Sequence, residues 1–95
     1  MANTDIVLPN NVWTLLTDGN VSALRVQNIG ADVIQIQATS GTTAPTSAAG
    51  SIWLNPGEGQ AADQTLVALF PGVTSAARVW GRPLNAASKA SVSHA

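Results

Sequence analysis

The chain has 95 residues, the length of one small domain, and 45% of them are apolar. Only 9% are charged and the formal net charge is −1, so neither charge-driven disorder nor a basic nucleic-acid surface is expected. There is no cysteine, which excludes disulfides, thiolate metal sites and cysteine nucleophiles. No apolar run reaches the roughly 18 residues of a membrane-spanning helix, and no signal peptide is visible. We therefore expect no nucleic-acid and no membrane partner.

Short β-prone segments, separated by Gly, Pro, Asn and Asp, follow one another along the whole chain. The predicted strands are residues 6–8, 12–17, 21–29, 33–39, 51–54, 65–70, 76–82 and 89–94. Asp18-Gly19 predicts a type I′ hairpin between the second and third strands, because both residues tolerate positive φ. That hairpin would pair Trp13 with Leu24 and place both side chains, with Leu15, in the core.

Alternation is clearest in residues 33–39, where isoleucines occupy one face and Gln35 and Gln37 the other, solvent-facing one. Residues 40–50 are rich in Ser, Thr, Ala and Gly and predict an exposed loop. Further on, Pro56-Gly57 has the residues of a type II turn.

Residues 65–70 are apolar on both faces and predict a strand covered on both sides, with a short helix over residues 61–69 as the alternative. Seven or eight short strands predict an all-β fold, an antiparallel β-sandwich of jelly-roll-like form, with a small barrel as the other possibility. The chain is one domain, residues 1–95, whose terminal segments (residues 1–10 and 88–95) can extend from it.

The sequence contains few candidate catalytic residues. The only histidine is His94, near the end of the chain, and we interpret it as a surface or interface residue. Asp18, Asp32 and Glu58 each lie in a turn signal, which explains them without acid–base chemistry. The sequence therefore predicts no catalytic residue, no cofactor and no metal ion, and a protein that is not an enzyme.

Three tryptophans, one phenylalanine and no tyrosine make an unusual aromatic set. Arg78, Trp80 and Arg82 fall on one face of a predicted strand, opposite Val79. Because Trp and Arg are enriched at the centres of protein interfaces, this stripe is a candidate subunit contact. The alternative is that Trp80 packs inside the sandwich. Trp53 is ambiguous, since apolar residues flank it on both sides.

A second candidate contact is the N-terminal run Ile6-Val7-Leu8, which Pro9 isolates from the next strand. We expect residues 2–8 and 89–95 to reach neighbouring molecules, by strand addition for example. The low charge also gives weak repulsion between copies, as suits a protein that assembles.

Several segments resemble small all-β virion structural proteins of tailed bacteriophages. They are VWTLLT (residues 12–17), ALRVQNIG (23–30), NPGEG (55–59), RVWGR (78–82) and VSHA (92–95). The resemblance implies a head decoration protein, or a head-spike or fibre-base protein, on the capsid surface. It implies the major capsid protein or other virion proteins as partners, and a homo-oligomer, with a trimer favoured. The alternatives are a small carbohydrate-binding module for host recognition and a tail or neck component.

Overall fold

A computed structural model describes residues 2–61, 63 and 65–94. Its elements in chain order are β1 (Ala2–Leu8), β2 (Thr14–Leu15), β3 (Leu24–Asn28), β4 (Ile34–Thr39), β5 (Ile52–Leu54), β6 (Gly59–Gln60), α1 (Leu66–Leu69), β7 (Arg78–Pro83) and β8 (Ser88–His94). They form two sheets of four antiparallel strands, a first sheet ordered β1-β8-β3-β6 and a second ordered β2-β7-β4-β5. This is the strand order of a jelly roll, so the predicted all-β sandwich is confirmed.

The core lies between the two sheets, where alternate residues of each strand meet. In β3, Leu24, Val26 and Asn28 are buried while Arg25 and Gln27 are exposed. The same alternation of period two holds along β8. Among the described residues, the buried apolar side chains of this core cluster are Leu8, Leu16, Leu24, Val26, Ile34, Ile36, Ala38, Leu54, Leu66, Phe70, Ala76, Val79, Ala90 and Val92.

The hairpin predicted at Asp18-Gly19 is wrong. β2 pairs with β7 in the second sheet, whereas β3 pairs with β8 and β6 in the first. Neither Asp18 nor Gly19 is among the described residues with positive φ, so the type I′ turn does not form. The physical reason is that Leu16 and Leu24 enter the core from opposite sheets. The chain must therefore cross between the sheets at this point.

The prediction that Gln35 and Gln37 face solvent is also wrong, because their exposed fractions are only 5% and 6%. Both lie on the outer face of β4, but that face is covered. Arg82 donates a hydrogen bond to Gln35 Oε1 at 2.8 Å, and Gln37 Nε2 donates to the Ala49 carbonyl at 2.7 Å. Residues 40–50 form a loop as predicted, and this loop folds back over Gln37.

Residues 65–70 form a helical turn and not the predicted strand. The Thr65 hydroxyl accepts a hydrogen bond at 3.2 Å from the backbone N–H three residues on, which caps α1. The Phe70 N–H donates to the Leu66 carbonyl at 2.9 Å. Leu66 and Phe70, four residues apart, are both buried, while Val67 is exposed. α1 has four residues, and no helix in the described part of the chain is long and apolar enough to cross a membrane.

The type II turn at Pro56-Gly57 is present. Gly57 has a φ of +87°, which favours glycine. The Glu58 N–H closes the turn onto the Asn55 carbonyl at 2.9 Å.

The terminal segments lie side by side in the first sheet. β1 and β8 are antiparallel, and their register runs from Ala2 opposite His94 to Leu8 opposite Ser88. Over the described residues the two segments are therefore paired with each other. The first and last positions of the chain lie outside those residues.

The buried amide of Asn28 connects the two sheets. Its Nδ2 donates to the carbonyls of Asp32, at 2.6 Å, and Leu54, at 3.0 Å. Its Oδ1 accepts from the Gly30 N–H at 3.1 Å and from the Ser88 hydroxyl at 3.0 Å. All four contacts come from neighbouring loops and strands, so this one side chain fixes how the chain passes from β3 to β4.

The carboxylate of Asp32 extends this network to the loop before β8. Its Oδ2 accepts from the N–H groups of Asn85, at 2.7 Å, and Ala86, at 3.0 Å. These two donors hold the pKa of Asp32 below its ordinary value of 3.8, because they stabilise the charged form.

Candidate functional site

The outer face of the second sheet carries one continuous row of aromatic and polar side chains. Gln35 on β4 stands opposite Trp53 on β5 and opposite Arg82 on β7. The Arg82 guanidinium lies over the Trp13 ring, with its Cζ 4.5 Å from the ring centroid. We call Trp13, Arg82, Gln35 and Trp53 the tryptophan row. It crosses β7, β4 and β5, and it begins at Trp13, the residue just before β2.

Arg82 is held in place from two sides within this row. Its Nη2 donates to Gln35 Oε1 at 2.8 Å on one side, and the Trp13 ring lies against it on the other. A cation–π contact of this kind is worth about 0.5–2 kcal/mol, depending on its burial. Because the guanidinium is already ordered, little side-chain entropy would be lost when a partner docks on it.

Trp53 is the most accessible member of the tryptophan row. Its side chain is 59% exposed, whereas Trp13 is half-buried. An exposed indole on a sheet offers a large, rigid apolar surface at low entropic cost. Trp53 is therefore the residue of this face best placed to contact another molecule.

Trp80 lies in the next row of the same face but is largely covered. It stands between Leu15 on β2 and Gln37 on β4, and its exposed fraction is 8%. Its Nε1–H donates to the Thr39 hydroxyl at 2.9 Å. Trp80 thus lies on the outer face, opposite the buried Val79, and not between the two sheets. Because neighbouring residues cover most of the Trp80 side chain, little of its surface is accessible to a partner.

The three side chains of the predicted stripe, Arg78, Trp80 and Arg82, therefore contact different residues. Arg78 Nε donates to Asn20 Oδ1 at 3.0 Å, on the loop between β2 and β3. Arg82 joins the tryptophan row through Gln35. All three side chains share one face, but only Arg82 stands in register with the exposed Trp53, across Gln35.

The N-terminal candidates lie in the other sheet, away from this face. Leu8 is fully buried in the core and Ile6 is half-buried against it. Val7 points outward and is 65% exposed. Of these three side chains, Val7 is the one that a second molecule can reach directly.

His94 is not the surface residue that the sequence suggests, because its side chain is only 1% exposed. It lies at the inner face of β8, where Nε2 accepts from the Asp18 N–H at 3.4 Å and lies 3.5 Å from Asp18 Oδ1. Nδ1 has no hydrogen-bond partner in the described part of the chain. The alternation along β8 puts residue 94 on the same side as Val92 and Ala90, which is the signal that predicts its burial.

Trp13 and Trp53 are the site residues that sequence reasoning missed. The predicted hairpin, which does not form, pairs Trp13 with Leu24 and so places Trp13 in the core. Instead, β2 pairs with β7, and Trp13, the residue just before β2, lies against Arg82. Trp53 could be placed only once β5 was known to pair with β4, opposite Gln35.

Two depressions flank the loop over residues 40–50. One is open, with a volume of about 550 Å³, and is lined mainly by Thr, Ser, Ala and Pro of that loop. The other, of about 250 Å³, lies between Gln37 and residues 69–73. The described residues that line them include no charged side chain, so among these residues neither depression presents a group suited to proton transfer near neutral pH.

Among the described residues there is no group of three or more His, Cys, Asp or Glu side chains that could hold a metal ion. Comparison of the chain with protein families, curated proteins and solved structures finds no match.

Proposed function

We propose that this chain is a non-enzymatic virion structural protein, a capsid decoration or head-spike or fibre-base protein, which docks through the tryptophan row. The observation that carries the proposal is the exposed Trp53 in register with an Arg82 that is already fixed by Gln35 and Trp13. Trp and Arg are the residues most often found at the centres of interfaces, where one or two of them supply most of the binding energy.

The virion part of the proposal is supported by the sequence resemblance, which runs through the segments VQNIG (26–30), PGEG (56–59) and RVWGR (78–82). Jelly rolls occur in viral capsid proteins and also in lectins. The fold is thus compatible with the proposal but does not by itself choose a function.

The composition also suits a protein that is buried between other subunits. Only four of its 95 residues are Lys or Arg, so few long side chains need to be ordered on docking. In this mechanism the sandwich is a rigid body, and the partners are the major capsid protein, other virion proteins or further copies of the chain. Trp80 acts indirectly, since its N–H bond to Thr39 helps to fix the face on which the row lies.

The test is the amount of the protein found on virus particles. Cells that carry the genome encoding this chain would be induced to produce virus particles. The particles would be purified on a density gradient, and the amount of the chain in the particle fraction would be measured by immunoblot. We expect it to sediment with particles. Trp53→Ala should weaken its binding about thirtyfold, which corresponds to the loss of about 2 kcal/mol typical of a central interface tryptophan.

Val67→Ala is the matched control, because Val67 is exposed on α1 and belongs to neither the tryptophan row nor its sheet. It should leave the amount on particles unchanged. Circular dichroism and the melting temperature check that both variants fold. A chain that is absent from particles, or a Trp53→Ala protein that binds them as well as the original, would overturn the proposal. Separated heads and tails distinguish a capsid protein from a tail or neck component.

A carbohydrate-binding module is the second candidate, and the exposed indole of Trp53 is the observation that favours it. Aromatic rings exposed on a sheet can stack on the apolar face of a sugar ring. The measurement is the tryptophan fluorescence of the original protein and of Trp53→Ala during titration with a panel of glycans. A saturable change that Trp53→Ala abolishes would replace the virion proposal with the sugar-binding one.

A further inference from the structure

β1 is an edge strand with a free row of backbone hydrogen-bonding groups. The Lys89 carbonyl accepts from the Ile29 N–H, so the backbone of Lys89 faces the β3 side. Since alternate residues of an antiparallel strand point to opposite neighbours, Ala90 and Val92 face β1, where they pair with Ile6 and Thr4. The N–H and C=O groups of the residues between, at positions 3, 5 and 7, therefore point away from the sheet.

In the part of the chain that the structure describes, no backbone hydrogen bond outside the β1–β8 ladder uses these groups. The other edge strands, β6, β2 and β5, are only two or three residues long. β1 has seven residues, and its register with β8 is continuous, without a bulge. It contains no proline and no lysine, two of the features by which proteins protect an edge from another strand.

A second strand beside β1 would also bury apolar side chains of β1. Val7 is largely exposed on the outer face of the first sheet, and Ile6 is half-buried on the inner face. A strand added at this edge would cover part of both. The low net charge of the chain opposes such pairing only weakly.

The natural occupant is β1 of a second copy, related by a two-fold axis. Opposite residues of an antiparallel pair lie on the same face, so the axis must pass beside one residue of β1. An axis at Asp5 would place two carboxylates directly opposite each other, which is unfavourable. An axis at Thr4 would place Val7 opposite position 1 of the other copy, outside the residues that the structure describes. An axis at Ile6 has neither disadvantage.

With the axis at Ile6, Asp5 of each copy stands opposite Val7 of the other. Val7 is in turn opposite Lys89 of its own copy, and all these side chains lie on the outer face. Asp5 is then two strands, about 10 Å, from Lys89 of the other copy, within reach of a lysine side chain. The two Ile6 side chains meet at the centre on the inner face.

We propose that two copies of this chain form a two-fold dimer by antiparallel pairing of β1 with β1, centred on Ile6. The two first sheets become one sheet of eight strands. Four backbone hydrogen bonds form between Asp5 and Val7 of the two copies. The proposal does not depend on the virion assignment, and its two-fold symmetry differs from the trimer that the resemblance favours.

Disulfide cross-linking tests the register, because the chain has no cysteine of its own. The variants are Ile6→Cys, Thr4→Cys and the control Val67→Cys on α1, each equilibrated in a glutathione buffer and measured on a non-reducing gel. At the proposed axis the two Cα atoms of residue 6 are about 4.5 Å apart, within the range for a disulfide. We expect Ile6→Cys to dimerise about tenfold or more above the control, as expected for two thiols held side by side.

Dimerisation of Thr4→Cys to the same level as Ile6→Cys, above the control, would overturn the register. Dimerisation of both variants only at the level of the control would overturn the dimer. Sedimentation velocity of the original protein over a concentration series is the second measurement. A reversible dimer is expected, and a monomer at every concentration or a trimer would contradict the proposal.

Val7→Pro separates the dimer from the fold. The Val7 N–H points to the free edge, so proline removes an intermolecular donor and leaves the β1–β8 ladder intact. We expect its dissociation constant to rise about tenfold or more, with Val7→Thr, which keeps the N–H, as the matched control. An unchanged dimer in Val7→Pro would overturn the proposal. If Val7→Pro does not fold, the cysteine variants still decide.

Discussion

The side chain of Asn28 links several loops and strands of this small sandwich by hydrogen bonds. Its amide is fully buried and makes four hydrogen bonds, two given and two received. The sequence shows only an asparagine at the end of an alternating strand, two residues before a glycine. Its partners on Leu54 and Ser88 come from distant parts of the chain, so their arrangement could not be predicted from local pattern.

Replacing Asn28 tests this network. Asn28→Ala leaves the buried Leu54 carbonyl and the partly buried Gly30 N–H without their partner, and a buried group left unpaired costs about 1–3 kcal/mol. We expect the free energy of unfolding to fall by about 2–4 kcal/mol in urea titrations. Gln27→Ala, at the neighbouring exposed position, is the control and should change it by less than about 1 kcal/mol. Similar losses in the two variants would show that the network contributes little.

At the scale of elements, the strands with clear alternation were predictable and α1 was not. Residues 24–28, 34–39 and 88–94 repeat every two residues, as one face of each strand meets the core. Residues 65–70 are apolar throughout, so their period is ambiguous. The spacing of Leu66 and Phe70 by four residues, and a threonine ahead of them, are the signals that favoured the helix.

The cap of α1 gives a prediction for this element. Thr65→Ala removes the hydroxyl that accepts the Ala68 N–H, and we expect a loss of about 1 kcal/mol in the free energy of unfolding. Thr65→Ser keeps that hydroxyl and should retain most of the stability. Chemical denaturation of both variants is the measurement. Equal losses from alanine and serine would contradict a capping role and point to the threonine methyl group instead.

The tryptophan row could not be predicted from local sequence patterns either, because it depends on which strands pair. Alternation alone puts Arg78, Trp80 and Arg82 on one face of β7. It does not tell which strands flank β7, and the tryptophan row exists only because β2, β7, β4 and β5 are neighbours in that order. The shortest connection pairs residues 12–17 with residues 21–29, and this wrong pairing predicts Trp13 on the core face.

At the scale of the whole molecule, the two terminal strands pair with each other and bring the ends of the described chain together. Ala2 stands opposite His94, so the two ends of the described chain are about 5.5 Å apart between Cα atoms. The loop over residues 40–50 lies far from this junction in sequence and carries exposed residues at its start. We therefore expect the fold to depend on which strands are neighbours and not on where the chain is opened.

A circular permutant tests that statement. Residues 94 and 2 would be joined by a Gly/Ser linker of about four residues, and the chain would be opened between Thr42 and Thr43, which are both exposed. We expect a folded β protein with cooperative unfolding, because exposed loops tolerate new termini. A second permutant, opened between Val26 and Gln27 inside β3, should not fold, since it cuts a strand that pairs on both sides. Circular dichroism and urea unfolding compare the two. Failure of the first permutant would mean that the connection through the loop, and not only the strand neighbours, is needed for the two sheets to pack.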